Sequence, residues 1–167
     1  MVNIINSSKE IIIDVITQKL QLKQSNKLLF ETIVSTAKNG VGEAYGSECT
    51  PRGRHIIRAK IGANLPENTV FVGRRTTNEI YTKALRKSFP QRDWILTRIM
   101  WLSGLEKNKN RLGNVDTMRR YIYIHGCPDE DGLGVAPDSH GCIKIHNKEV
   151  IELFNRVDVG TLVTILE

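Results

Sequence analysis

No stretch of this 167-residue chain approaches the roughly 18 consecutive apolar residues of a membrane-spanning helix. The early apolar run Ile11-Ile12-Ile13 is closed at once by Asp14, with no basic stretch before it in Met1–Asn6 and no small-residue cleavage site after it. A secretory signal is therefore not expected. The expected location is the cytoplasm, or the periplasm if the chain is a trimmed mature form. Cysteine is scarce. Cys49, Cys127 and Cys142 are an odd number that cannot close a disulfide framework, so at least one thiol is free in an unpaired chain. A chain of this length buries a sizeable core without such staples. Internal repeats and low-complexity tracts are absent, and a single domain over residues 1–167 is expected.

The charge is unevenly placed. Between Arg86 and Arg120 stand nine basic and three acidic residues, which account for the whole net charge of +6. This stretch lacks clustered aromatics for base stacking and any nucleic-acid motif, so neither nucleic acid nor a membrane is expected as a partner. An acidic small substrate or a solvated face fits it better.

Short β-leaning runs dominate the hydrophobic pattern: Ile11–Ile16, Lys19–Gln24 and Lys27–Val34, with a tight-turn signal at Ser25-Asn26. Residues 38–53 read as a glycine-rich loop, and Arg54–Ile61 as a strand stopped by Gly62. A short helix is expected over 77–89, strands over Trp94–Leu102 and Arg120–His125, and an irregular loop up to Ser139. Asn147 reads as the N-cap of a helix Lys148–Val157 with Val150, Ile151, Phe154 and Val157 on one face. A last strand, Leu162–Leu166, follows Gly160. The expected fold is mainly β, with one or two short helices.

Chemistry gathers in two patches, Tyr123-Ile124-His125-Gly126-Cys127 and Ser139-His140-Gly141-Cys142-Ile143-Lys144-Ile145-His146. Acyl transfer through cysteine needs a thiolate, a base and donors for an oxyanion. Cys142 ends a Ser-His-Gly turn whose successive N–H groups can converge on one point, and His125 at a strand end can fold back to face it. The Gly126 carbonyl is a candidate partner for the second ring nitrogen. His140 can line the oxyanion pocket or bind substrate. Taken alone, a cysteine is more often a small buried hydrophobe. The competing chemical reading is a zinc-stabilised binding module without turnover, on His125, Cys127, His140 and Cys142, although their spacing departs from the usual C-x₂-C knuckle.

Ser139-His140-Gly141-Cys142-Ile143-Lys144, preceded by Ile124-His125-Gly126, resembles the signature of the YkuD-type L,D-transpeptidase domain. Thr50-Pro51-Arg52-Gly53 is similar to the TPxG element ahead of a strand in that family, and the likeness runs from about Leu28 onward. The resemblance implies a single-domain β-sandwich or barrel and a cysteine acyl-enzyme acting on peptidoglycan stem peptides at the L–D bond before a terminal D-alanine. The acyl group passes to an amine (transpeptidase) or to water (carboxypeptidase). Carried over, Cys142 is the nucleophile and His125 its base, oriented by Gly126. The backbone of His140, Gly141 and Cys142, beside Ser139, forms the oxyanion pocket. No metal or cofactor is implied. Lys144 and Tyr123 are expected to contact substrate, although Lys144 stands where many members carry arginine and lacks its bidentate fork. Cys127 stands where serine or threonine is frequent and reads as a bystander. Without an export signal the chain is more similar to the cytoplasmic L,D-carboxypeptidases of muropeptide recycling.

Overall fold

The structure, a computed structural model, describes residues 8–167; the reading of Met1–Asn6 lies outside them. The elements in chain order are β1 (Lys9–Asp14), β2 (Lys19–Gln24), β3 (Lys27–Ile33), β4 (Gly53–Ile61), β5 (Thr69–Val72), β6 (Arg75–Ile80), α1 (Lys83–Ser88), β7 (Ile95–Gly104), β8 (Tyr123–Cys127), β9 (Ile143–His146), α2 (Asn147–Arg156) and β10 (Leu162–Leu166).

All ten strands belong to one sheet. The β2–β3 hairpin turns at Ser25-Asn26, both in the left-handed region (φ +48° and +64°), as a two-residue turn matched to strand twist requires. β1 pairs with β2 and, in parallel, with β10; β10 leads to β4, and β4 to β7. Ile99 of β7 pairs with both Ile61 and His125, and Leu96 with both Val70 and Gly126. β7 therefore carries β8 along one edge and β4 followed by β5 along the other. β9 joins β8 in parallel. The chain just past β3 then meets β9: the Ser35 N–H donates to Lys144 O (3.0 Å) and the Lys144 N–H to Ser35 O (2.9 Å). The sheet thus curls into a half-barrel whose seam lies beside Cys142.

Alternation sorts the side chains. Ile11, Ile13, Leu20, Leu22, Ile57, Met100, Leu102, Ile124, Ile143 and Ile145 fill the interior, and Val150, Leu153 and Phe154 of α2 close it. Each such aliphatic side chain contributes about 1.5–3 kcal/mol by leaving water. The opposite face of β7, β8 and β9 packs Phe71, Ile99 and Tyr123 in a smaller cluster that Cys142 joins at its edge. One β8–β9 pair therefore anchors the core with Ile124, Ile143 and Ile145 and leaves Tyr123, His125, Cys142 and Lys144 for the other side.

The mainly-β expectation holds; several local readings change. The helix expected over 77–89 is only Lys83–Ser88, because Thr82 caps it by accepting from the Leu85 N–H (3.0 Å) while residues up to Ile80 pair with β5. The loosely patterned segment after Gly62 contains the β5–β6 hairpin. The strand expected over Arg120–His125 begins at Tyr123 and runs to Cys127, since Tyr121 turns at φ +57°. His125 is thus inside a strand, not at its end. β9 has no counterpart among the expected elements; its pairing with β8 and Ser35 comes from distant segments. His146, not Asn147, occupies the cap of α2. Asn147 instead buries its side chain between Thr97 and Asn68 (2.5 and 2.8 Å), and half-buried Ile151 gives way to Leu153 on the inner face.

Candidate active site

Parallel pairing sets Ile124 beside Ile143 and His125 beside Lys144, which brings Tyr123 level with Cys142. The Cys142 Sγ accepts from the Tyr123 N–H (3.3 Å), and the thiol donates to Tyr121 O (3.4 Å). Cys142 and His125 line one cavity of about 520 Å³, together with Tyr123, Ser139, His140 and Lys144. The structure thus brings to one place every side chain that the acyl-transfer reading nominated, with Gly126 and Gly141 behind them, and leaves out Cys127.

The turn ahead of Cys142 is fastened from several directions. Ser139 Oγ donates to Cys142 O (2.5 Å) and accepts from the Gly141 N–H (3.2 Å). The Gly141 N–H, expected among the oxyanion donors, is therefore engaged within the turn. Gly141 adopts φ +128°, where a Cβ would press on Ile122 Cδ1 and Cys49 O at 3.0 and 3.2 Å. Thr50, fully buried, donates to Gly141 O (3.0 Å) and accepts from the Ala37 N–H (2.9 Å). This is the structural use of the Thr50-Pro51-Arg52-Gly53 element: it seats the turn that presents the thiol.

His125 is buried, with Nδ1 2.8 Å from Gly126 O. A carbonyl only accepts, so Nδ1 carries the proton and Nε2 keeps its lone pair. Nε2 has no protein partner among the described residues. Gly126 cannot be replaced without cost: a Cβ there would stand 2.5 Å from Asn147 Oδ1 and 2.7 Å from Leu96 O. The Asn147–Thr97 contact thus backs the peptide that orients the imidazole.

Burial holds the His125 pKa below its ordinary value, opposed chiefly by the carboxylate of Asp93. Burial likewise pushes the Cys142 thiol up to about 12; the Tyr123 N–H opposes this and Asp93 adds to it. At neutral pH the resting pair is thiol and neutral imidazole. For Lys144, burial works against the charge, but Asp138 (3.2 Å), Asp131 (3.7 Å) and Asp93 outweigh it and hold its pKa above the usual value. Lys144 is therefore neutralised in place and is no free anchor for a substrate carboxylate.

The other basic residues of 86–120 do not form one patch. Arg86 pairs with Asp131 (2.6 Å), Arg92 with Glu79 (2.8 Å) and Lys109 with Glu106 (3.1 Å), while Arg98 is buried. Arg120 lines the cavity, but its guanidinium binds the carbonyls of Gly42, Glu43 and Cys49 and the Ser47 hydroxyl. The zinc alternative finds no support. Among the described residues no three His, Cys, Asp or Glu side chains converge as a ligand set, and Cys127 is buried with its thiol on Ile145 O (3.4 Å) and its pKa pushed up to about 12.

Sequence reasoning missed Arg74, Asp93 and Tyr121, which also line the cavity. Arg74 and Asp93 come from the stretch 63–118, where no motif marks them. Tyr121 reads from sequence as an ordinary strand residue.

A sequence model of the L,D-transpeptidase catalytic domain, YkuD, matches residues 8–165. A 48-residue stretch is 44% identical to YqjB of Bacillus subtilis (strain 168), named as a candidate L,D-transpeptidase, and covers 29% of this chain and 27% of that protein. An L,D-transpeptidase from Mycobacterium smegmatis superposes with a TM-score of 0.57 at 14% identity, over 96% of this chain and 59% of that one. L,D-transpeptidase 3 from Mycobacterium tuberculosis, solved with a faropenem-derived adduct, gives 0.58 at 14% identity, over 96% and 61%. The L,D-transpeptidase of Enterococcus faecium gives 0.57 at 16% identity, over 95% and 50%. The chain spans 50% to 61% of the length of these structures, and at such identities the likeness carries the fold.

Proposed function

Because the chain belongs to the YkuD family of L,D-transpeptidase catalytic domains, we propose that it transfers an acyl group from the L–D peptide bond of a peptidoglycan stem through a thioester on Cys142. As Sγ attacks the carbonyl carbon of the L-centre, its proton passes to His125 Nε2. The negative charge collects on the carbonyl oxygen, and the backbone N–H groups of His140 and Cys142 supply its hydrogen bonds, since those of Ser139 and Gly141 are already engaged. The C–N bond then breaks, His125 returns the proton to the departing amine, and the terminal D-residue leaves. In the second half-reaction water or an amine gives its proton to Nε2 and attacks the thioester, freeing Sγ. Water leaves a shortened stem; an amine leaves a cross-link or an exchanged terminal residue.

The observation that carries this reading is the tie between His125 Nδ1 and Gly126 O, which leaves Nε2 as a base in the cavity that holds the Cys142 thiol. The desolvation of both groups favours a proton moved during attack over a preformed ion pair. That pattern suits general-base activation of the thiol.

The test is mass spectrometry of the purified protein with a disaccharide-tetrapeptide. Release of the terminal D-alanine, with an acyl mass on the peptide containing Cys142, is the expected result. Tripeptide as the main product identifies water as the acceptor and places the enzyme in recycling; dimers identify an amine. No release of the D-residue overturns the reading.

A further inference from the structure

We infer that Arg74 is the carboxylate anchor of the cavity: it receives the free carboxylate of the terminal D-residue and so directs Cys142 to the last bond of a stem. This rests on the acyl-transfer reading above. Lys144, expected to contact substrate, does not serve as this anchor, because its ammonium is already matched by Asp138 and Asp131.

Arg74 stands at the tip of the β5–β6 hairpin, where Gly73 and Arg74 both take left-handed backbone (φ +54° and +66°). The two-residue turn between Val72 and Arg75 demands this backbone, as at Ser25-Asn26, and the side chain is held by its own surroundings. Those surroundings are aromatic. The guanidinium lies 4.4 Å from the Trp101 ring centre and 5.0 Å from that of Tyr121, and one Nη donates to the Tyr123 hydroxyl (3.0 Å). Tyr121 and Tyr123 are the residues whose backbone groups hold the Cys142 thiol. The same short segment therefore positions both the sulfur and the cation.

Arg74 is also the cation in this cavity with donors to spare. Among the described residues it has no carboxylate within ion-pair distance, and its remaining N–H groups have no protein acceptor. Arg120, the other arginine lining the cavity, spends its donors on four oxygens of the 42–49 segment. A guanidinium stacked on rings is held flat, losing little freedom when it forks onto a carboxylate. Asp93 lines the same cavity and repels a carboxylate from its own side. In a tetrapeptide stem cut at its last bond, the free carboxylate sits one residue beyond the attacked carbonyl. An amidated or extended stem has no charge there.

The experiment compares two tetrapeptide stems that differ only in ending as a free acid or a carboxamide. The native enzyme should prefer the acid by roughly 10- to 100-fold in kcat/KM, the range of a charged hydrogen-bonded pair. In Arg74→Gln the preference should collapse, with the loss confined to the acid, and Arg74→Lys should keep part of it. Equal losses on both stems, or an intact preference in Arg74→Gln, overturn the anchor. Alkylation of Cys142, followed by peptide mass mapping, needs no turnover. The rate ratio of iodoacetate to iodoacetamide should fall several-fold in Arg74→Gln, and an unchanged ratio overturns the anchor. If the native enzyme cleaves neither stem, the acyl-transfer reading has failed and the alkylation ratio alone decides whether Arg74 holds a carboxylate beside the thiol.

Discussion

His55 and His125 are both buried on central strands, and burial lowers the pKa of both, that of His55 to about 4. Their second nitrogens separate them. His55 lies 3.0 Å from Gly53 O through Nδ1 and 3.1 Å from Thr117 Oγ1 through Nε2, so its ring is fully occupied in joining β4 to the segment after β7. His125 makes the same kind of Nδ1 contact to a glycine carbonyl, but its Nε2 has no partner among the described residues and the ring lines a cavity that holds a thiol. The cysteines repeat the contrast. Cys127 and Cys142 both have thiols raised to about 12, yet Cys127 faces the Ile145 carbonyl in a closed interior and Cys142 lines open space. A perturbed pKa records desolvation; the empty volume in front of the atom is what allows chemistry.

The sharpest way to break this comparison is to delete each thiol. Cys142→Ala should lower turnover by on the order of 10⁴-fold or more, as removal of a nucleophile does, and abolish any adduct with faropenem. Cys127→Ala should keep most of both. Equal loss in the two variants, by kinetics and intact mass, would count against Cys142 as nucleophile. The histidines give the next largest contrast. His125→Gln should cost roughly 10²- to 10⁴-fold in kcat/KM, far beyond what losing about 1–3 kcal/mol of stability with its bond to Gly126 O would cause. His55→Gln should spare the chemistry but destabilise the fold by about 1–3 kcal/mol, since it leaves a buried partner unsatisfied.

Gly126→Ala joins the two effects, because its Cβ would meet Asn147 Oδ1 at 2.5 Å and displace the peptide that orients His125. A lowered melting temperature together with a lowered kcat is expected, and retention of both would show that this peptide does not set the imidazole.

The pH response is smaller and has a defined sign. Folded His55 stays neutral down to about 4, whereas the unfolded ring takes a proton near 6.5. Its contribution is fully present above about pH 6.5 and lost as pH falls toward 4. The melting temperature should drop over that window, less steeply in His55→Gln. Asp93 holds the His125 pKa up against burial, so Asp93→Asn should move the acid limb of the pH–rate profile to lower pH. A limb moved upward, or unmoved, would take Asp93 out of the field of the base.

Much of the fold was readable from alternation. β2, β4 and β10 fall within a residue of expectation because each has period-two apolar positions and a turn signal at its end. β5 and β6 escaped because Thr69–Val72 is short and Arg75–Ile80 is polar, exposing alternate residues on a hairpin packed from one side. β9 escaped because a four-residue strand bounded by turn residues is defined by its neighbours on β8 and Ser35, far away in the chain. The candidate site followed the same division. Cys142, His125, Gly126 and the Ser139–Gly141 turn carried a local pattern. Arg74, Asp93 and the neutralised state of Lys144 carried none, since each depends on charges brought together by folding.

By itself the sequence determined the β-rich class, the thiol with its glycine turn, and the histidine that shares its cavity. These depend on residue identity at short spacing, where alternation and backbone freedom act locally. The tertiary structure alone decided which of two buried histidines has a free nitrogen, which of Cys127 and Cys142 lines the cavity, and which cation there has no carboxylate partner among the described residues. Those are properties of distance and exclusion of water, and they exist only after the sheet has curled to bring Ser35, the β5–β6 hairpin and β9 around one cavity.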